Sequence, residues 1–153
     1  MKTVRAILQA KGHDVWAIGP DASVYEALQL MADKSIGAVV VIDAGGELVG
    51  VMSERDYARE IILKDKASKD TRVRDIMSKR VVCVHPDQTT QECMRLMTDK
   101  HIRHLPVLDS HRLVGMVSIG DVVKAIIADQ ACTITQLRDY ASGDDYPVNG
   151  RCL

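Results

Sequence analysis

Two strings of the form Gly-h-h-Ser-x-x-Asp, where h is apolar, carry the chemistry of this chain. They are Gly50-Val51-Met52-Ser53-Glu54-Arg55-Asp56 and Gly115-Met116-Val117-Ser118-Ile119-Gly120-Asp121. A glycine at a strand end lets a ligand approach the backbone closely. Ser53 and Ser118 fall where a helix would begin, and the amides and dipole of such a start favour an anion. Asp56 and Asp121, one turn on, can accept hydrogen bonds from two neighbouring sugar hydroxyls. The same Ser-x-x-Asp spacing also describes a plain helix N-cap, which stabilises a helix and binds nothing. Both uses stay open for either string taken alone.

The elements that would position these residues are themselves duplicated. Residues 17–62 align with 83–127 at an offset of 66 as far as Gly45, which has no counterpart, and 65 thereafter. Seventeen positions are identical, among them Pro20/Pro86, Glu26/Glu92, Met31/Met97, Gly50/Gly115, Ser53/Ser118 and Asp56/Asp121. Repetition at a fixed period sets an architecture of two like units. Each unit is too short to bury a comfortable core alone, so the two should share one.

Within a unit the pattern reads β-α-β-β-α. Short strands are expected over 15–18 and 81–84. Ser23 with Glu26, and Thr89 with Glu92, have capping-box spacing and open a helix each time. Apolar runs over 38–43 and 104–109 form buried inner strands. Each is joined by a tight turn to an antiparallel strand, over 48–52 or 113–117. A second helix starts near Ser53 or Ser118. Residues 73–77 (Val-Arg-Asp-Ile-Met) echo 4–8 (Val-Arg-Ala-Ile-Leu), so each unit carries a lead-in segment. The organisation is therefore 1–62, first repeat with its lead-in; 63–72, a polar linker; 73–128, second repeat with its lead-in; and 129–153, a tail. The tail is expected to continue as a short helix through 136–140, before a Gly- and Asp-rich end.

Composition narrows the function. Of 153 residues 46% are hydrophobic and 27% charged, with net charge −1, so no global basic field points to nucleic acid or an anionic membrane. One Trp, four Tyr and no Phe leave no aromatic platform for base stacking. No apolar run is long enough to cross a bilayer. The N-terminal segment is too charged for a signal peptide, so a cytoplasmic location is expected. Cys83 and Cys93 fall at apolar repeat positions and read as core thiols. No bridge is suggested by Cys spacing; Cys132 and Cys152, in the tail, are left open.

The tandem copy, the β-α-β-β-α order, the lead-in Thr71-Arg72-Val73-Arg74-Asp75-Ile76-Met77 and the Gly-h-h-Ser-x-x-Asp strings together resemble a pair of CBS domains over about residues 3–128. The resemblance implies an α/β (α+β) fold, with the two repeats packed about a pseudo-two-fold axis. It implies a regulatory module rather than an enzyme. Two clefts between the repeats would take an adenine nucleotide or related adenosyl ligand: AMP, ADP, ATP, NAD or S-adenosylmethionine. Asp56 and Asp121 would then hold ribose. A homodimer and a regulated enzyme partner are also implied, with no membrane and no nucleic acid.

The implied ligand residues are Ile18, Gly37, Ala38, Ser53, Arg55 and Asp56 from the first repeat. From the second they are Val84, Arg103, His104, Leu105, Pro106, Ser118 and Asp121. Selectivity should lie where the copies differ: Gly37-Ala38 against Arg103-His104, and Arg55 against Gly120. The family often sets a basic residue against phosphates at the position of Arg103 and His104. The clefts should therefore be unequal. His101 and His104 are three apart, yet nothing at usable spacing completes a metal site, and none is expected. No GxSxG, HExxH or P-loop appears, so no catalytic residue and no catalytic cofactor is expected. The alternative to a ligand sensor is a ligand-independent scaffold for dimerisation or docking.

Overall fold

The structure, a computed structural model, describes residues 2–142. Its elements are α1 (Val4–Lys11), β1 (Ala17–Ile18), α2 (Val24–Lys34), β2 (Ala38–Ile42), β3 (Leu48–Ser53), α3 (Glu54–Tyr57), α4 (Val73–Ile76), α5 (Thr90–Lys100), β4 (His104–Asp109), β5 (Arg112–Ser118) and α6 (Ile119–Ser142). A π-helical turn, Ala58–Ile62, extends α3. The β-α-β-β-α order is complete in the first repeat; the second has α5-β4-β5-α6, without the opening strand. The Gly- and Asp-rich end lies outside the described residues.

Both capping boxes form as the spacing requires. Ser23 Oγ accepts from the Glu26 amide at 3.1 Å, and the Ser23 amide donates to Glu26 Oε2 at 2.9 Å. Thr89 and Glu92 repeat this at 3.2 and 2.9 Å. Helices α2 and α5 end alike, on left-handed Ser35 and His101.

The inner hairpins, β2–β3 and β4–β5, are antiparallel, each with a register shift, after Val41 and after Val107. On its other edge β2 pairs in parallel with β1, Ala17 opposite Val40 and Ile18 opposite Val41. The strand expected over 81–84 is reduced to a single bridge between Val84 and Val107. Pro106 gives the reason. Its counterpart Val40 donates its amide to the Trp16 carbonyl at 3.1 Å. Proline has no N–H, so the matching bond to Val82 cannot form.

The lead-ins belong to their repeats in sequence but not in packing. Val4, Ile7 and Leu8 of α1 lie in the core of the second repeat, with Cys93, Met97, Leu105, Val107, Val117 and Val122. Val73 and Ile76 of α4 lie in the first repeat's core, with Val24, Met31, Val39, Val41 and Met52. Backbone bonds fix the exchange: the amides of Val4 and Arg5 donate to the carbonyls of Gln88 and Pro86, and those of Val73 and Arg74 to Ala22 and Pro20.

The duplicated glycines serve this crossing. A Cβ on Gly115 would lie 2.6 Å from Leu8 Cδ2, and one on Gly50 would lie 2.6 Å from Met77 Sδ. Gly50 and Gly115 are buried under the opposite lead-in. The expected close approach of a ligand to these glycines is thus corrected to the close approach of a helix.

The helix expected over 136–140 is present, and it is longer than that: these residues form the end of α6, which runs unbroken for 24 residues, about 36 Å. No proline or glycine interrupts it after Gly120. Thr133 and Thr135 turn their hydroxyls back to the carbonyls of Asp129 and Ala131. Among the cysteines, Cys83 and Cys93 are free thiols. Burial pushes the Cys93 thiol up to about 11, which leaves it inert at neutral pH. Cys132 is disulfide-bonded, which the spacing of the cysteines did not suggest.

Candidate functional site: two crossed clefts

Two cavities open between the repeats, and each takes its walls from both. The first, about 250 Å³, joins Ser53 and Asp56 of the first repeat to Val81, Val82, Ile102 and Pro106 of the second. The second, about 520 Å³, joins Ser118 and Gly120 of the second repeat to Val15, Trp16, Ile36 and Ala38 of the first. Both volumes are of the order of small-molecule sites. Gly37, Arg103 and His104 line both cavities and form the wall between them. A Cβ on Gly37 would lie 3.5 Å from His104 Nε2, an ordinary van der Waals contact, so the two residues face each other across this wall.

The two Ser-x-x-Asp turns have the same internal geometry. The Ser53 amide donates to Asp56 Oδ2 at 2.8 Å, and the Asp56 amide returns to Ser53 Oγ at 3.3 Å. The corresponding distances for Ser118 and Asp121 are 2.9 and 3.2 Å. The plain capping use is therefore realised in both repeats. It occupies only one carboxylate oxygen: among the described residues Oδ1 of neither aspartate accepts a hydrogen bond. Capping and ligand binding are compatible, and the alternative posed by the sequence is not exclusive.

The clefts differ in what holds each carboxylate. Lys11 Nζ lies 2.7 Å from Asp121 Oδ2 and 2.8 Å from the Met116 carbonyl. Burial would raise the Asp121 carboxyl, but Lys11 and the Ser118 amide outweigh it and hold the group below its ordinary value. Extending the lead-in alignment three residues beyond Leu8 and Met77 matches Lys11 with Arg80. Arg80 lines the first cleft but makes no bond to Asp56.

Of the residues expected from sequence, Ser53, Arg55, Asp56 and Pro106 line the first cleft. Ala38 and Ser118 line the second, and Gly37, Arg103 and His104 line both. Asp121 stands at the second cleft through Lys11, which lines it. Ile18, Val84 and Leu105 line neither. Ile18 and Val84 pair into the sheets, and side-chain alternation turns Leu105 into the core beside His104. The opening segments instead present Val15, Trp16, Val81 and Val82, two or three residues earlier. Arg59, in the π-helical turn, and Lys11 and Arg80 were not found by sequence reasoning. The last two were visible as aligned bases at the ends of the lead-ins.

His104, at the shared wall, is half-buried. Burial lowers its pKa below the ordinary 6.5, against the opposing pull of Asp121 and Glu54; Lys11 and Arg103 add to the lowering. The unfolded chain therefore takes up this proton first as pH falls. Stability from neutral His104 is present above pH 6.5 and declines as pH drops through that value toward the folded pKa. Denaturant unfolding between pH 7 and 5 should show this loss, and His104→Gln should flatten it; an unchanged slope would contradict the assignment.

The CBS domain profile matches residues 4–63 and 73–128. The chain belongs to the CBS-domain family. It is 48% identical to a CBS-domain protein from Burkholderia ambifaria MC40-6, with a TM-score of 0.81, covering 84% of this chain and 96% of that one. A CBS-domain containing protein from Agrobacterium tumefaciens is 42% identical, with a TM-score of 0.77, over 80% of this chain and 92% of the other. Among curated relatives, the mitochondrial CBS domain-containing protein CBSX3 of Arabidopsis thaliana is 37% identical over 150 residues, 92% of this chain and 72% of its own. Inosine-5'-monophosphate dehydrogenase of Methanocaldococcus jannaschii is 35% identical, but the match spans 21% of that enzyme. Among the described residues no helix is long and apolar enough to cross a membrane, and no cluster of His, Cys, Asp or Glu could hold a metal ion.

Proposed function

We propose that this CBS pair is a non-catalytic regulatory module whose clefts take an adenosyl ligand. The observation that carries the reading is the crossing of the clefts. In the first, the Asp56 carboxylate of one repeat, with an open Oδ1, faces Val81, Val82 and Pro106 of the other; in the second, Ser118 of one repeat faces Trp16 and Ala38 of the other, with Asp121 behind Lys11. A ligand whose ribose meets the carboxylate must also touch the opposite repeat. Its occupancy then biases the relative pose of the two repeats, as far as it binds the poses unequally. A CBS pair 23% identical to this chain has been solved in complex with 5'-methylthioadenosine and S-adenosylmethionine. At that identity it shares the fold, and the reading here rests on the residues of the clefts.

Calorimetric titration with AMP, ATP, NAD and S-adenosylmethionine tests the reading. At least one should bind; no heat from any of them at millimolar concentration would sink it.

A homodimer is part of the same proposal. Ile62 and its repeat counterpart Ile127 are each 59% exposed, and Leu63 (79%), Ile134 (52%) and Leu137 (64%) extend the apolar surface along the helices that leave the two turns. A self-complementary two-fold contact would cover it. Light scattering should report twice the chain mass, falling to one chain with Ile127→Glu; a monomeric wild type would refute this part. The scaffold reading draws on the same surface. It would be favoured if removing residues 129–153 abolished partner binding while nucleotide binding stayed intact.

A further inference from the structure

We infer that the first cleft is built for a polyphosphate chain, so that its ligand is a nucleoside di- or triphosphate rather than a monophosphate or an uncharged adenosyl compound. The inference rests on the adenosyl reading for the nucleoside end only. The anionic end is argued from the charge of the cleft.

Four arginines converge on this cavity: Arg55, Arg59, Arg80 and Arg103, against two acids, Glu54 and Asp56. They come from three segments: α3 and its π-helical extension, which carry Arg55 and Arg59 four residues apart, the end of the second lead-in, and the residue before β4. Arg59, Arg80 and Arg103 have no hydrogen-bond or ion-pair partner among the described residues. Arg55 makes one bond, from Nη1 to the His101 carbonyl at 2.8 Å. Elsewhere arginines at the lead-ins are neutralised, Arg5 by Asp87 and both Arg72 and Arg74 by Asp21. Gathering unpaired guanidinium groups on one cavity costs like-charge repulsion in a chain of net charge −1. A polyanion relieves it, and guanidinium is the donor suited to bidentate contacts with phosphate. One phosphate brings about two negative charges, too few to engage four guanidiniums from three segments. A di- or triphosphate supplies both the charge and the reach.

The second cleft is the internal control. At the positions equivalent to Arg55, Arg59, Arg80 and Arg103 it has Gly120, Lys124, Lys11 and Gly37. Lys124 does not line it, and Lys11 is engaged by Asp121. Only Arg103, on the shared wall, reaches it. The sequence differences thus do not give one basic position to each cleft. Because the repeats cross, Arg55 of one repeat and Arg103 of the other land in the same cavity. The second cleft instead carries Trp16, the chain's one tryptophan, with Lys34 Nζ 4.2 Å from the ring centroid.

The test is calorimetry on the full chain without divalent metal, using inorganic tripolyphosphate, AMP, ADP and ATP at low and high salt. ATP should bind about tenfold or more tighter than AMP at low salt, and salt should erode that margin through screening. Tripolyphosphate alone should bind and compete with ATP. The exposed pair Arg59→Gln/Arg80→Gln should weaken ATP and tripolyphosphate about tenfold or more while changing AMP far less. Equal affinity for AMP and ATP, or equal weakening of both by the double variant, overturns the inference and leaves the adenosyl reading standing. Binding of tripolyphosphate but of no adenosyl compound, lost in the double variant, supports the polyphosphate site and removes the adenosyl reading. Binding of none of them overturns the inference, and the adenosyl reading falls with it if NAD and S-adenosylmethionine also fail to bind.

Discussion

Truncating Leu8 to alanine should destabilise the second repeat by about 2–5 kcal/mol, the usual range for a buried leucine. Leu8 lies in the lead-in of the first repeat, yet it is 1% exposed within the second repeat's core and packs on Gly115. Its neighbours there, Leu105, Val107 and Val117, are held by the β4–β5 hairpin and cannot collapse freely into the space left behind. A loss of this size is a large part of a domain stability of about 5–15 kcal/mol. Denaturant unfolding checks it. A change within about 0.5 kcal/mol, as at a surface position, would contradict the crossed packing.

The second large effect concerns Asp56. Its Oδ2 caps the helix through Ser53, and its Oδ1 faces no partner. Asp56→Asn keeps an oxygen for the Ser53 amide and so retains the cap. It removes the charge and an acceptor for the ribose hydroxyls. Affinity for the adenosyl ligand should fall about 10- to 100-fold, the worth of a hydrogen bond to a charged group, with little change in stability. Asp56→Ala should lose the same affinity and also cost about 0.5–1.5 kcal/mol, because the Ser53 amide loses its return bond while the Ser53 Oγ cap stays. If Asp56→Asn binds like the wild-type chain while Asp56→Ala is merely less stable, the carboxylate is a cap and nothing more.

Most of the scaffold was legible because it rests on local chemistry. Ser23-Glu26 and Thr89-Glu92 cap by spacing alone, and the hairpins follow from two apolar runs with a tight turn between them. What escaped depends on contacts between the copies. The exchange of α1 and α4 is a long-range packing choice, and nothing in 4–8 or 73–77 says which core each enters. The lost strand at 81–84 was readable in principle: Pro106 stands where Val40 must donate. The helix over 136–140 was legible; its continuity with the helix that starts after Ser118 was not read, although no breaker follows Gly120. In the clefts, Ser53, Asp56, Ser118 and the basic start of β4 were found from motif and mismatch. Arg59, Lys11 and Arg80 were not, because their role appears only once the repeats cross. The same crossing moved Arg55 and Arg103 from opposite sides of a sequence comparison to one cavity.

The claim that both repeats build each ligand site is tested most directly by backbone amide NMR during titration with ATP. Binding at the first cleft should shift amides at 53–56 together with those at 81–82 and 102–104, at one ligand concentration and with one affinity. Shifts confined to the segments of a single repeat, or none with any adenosyl compound at millimolar concentration, would contradict the account.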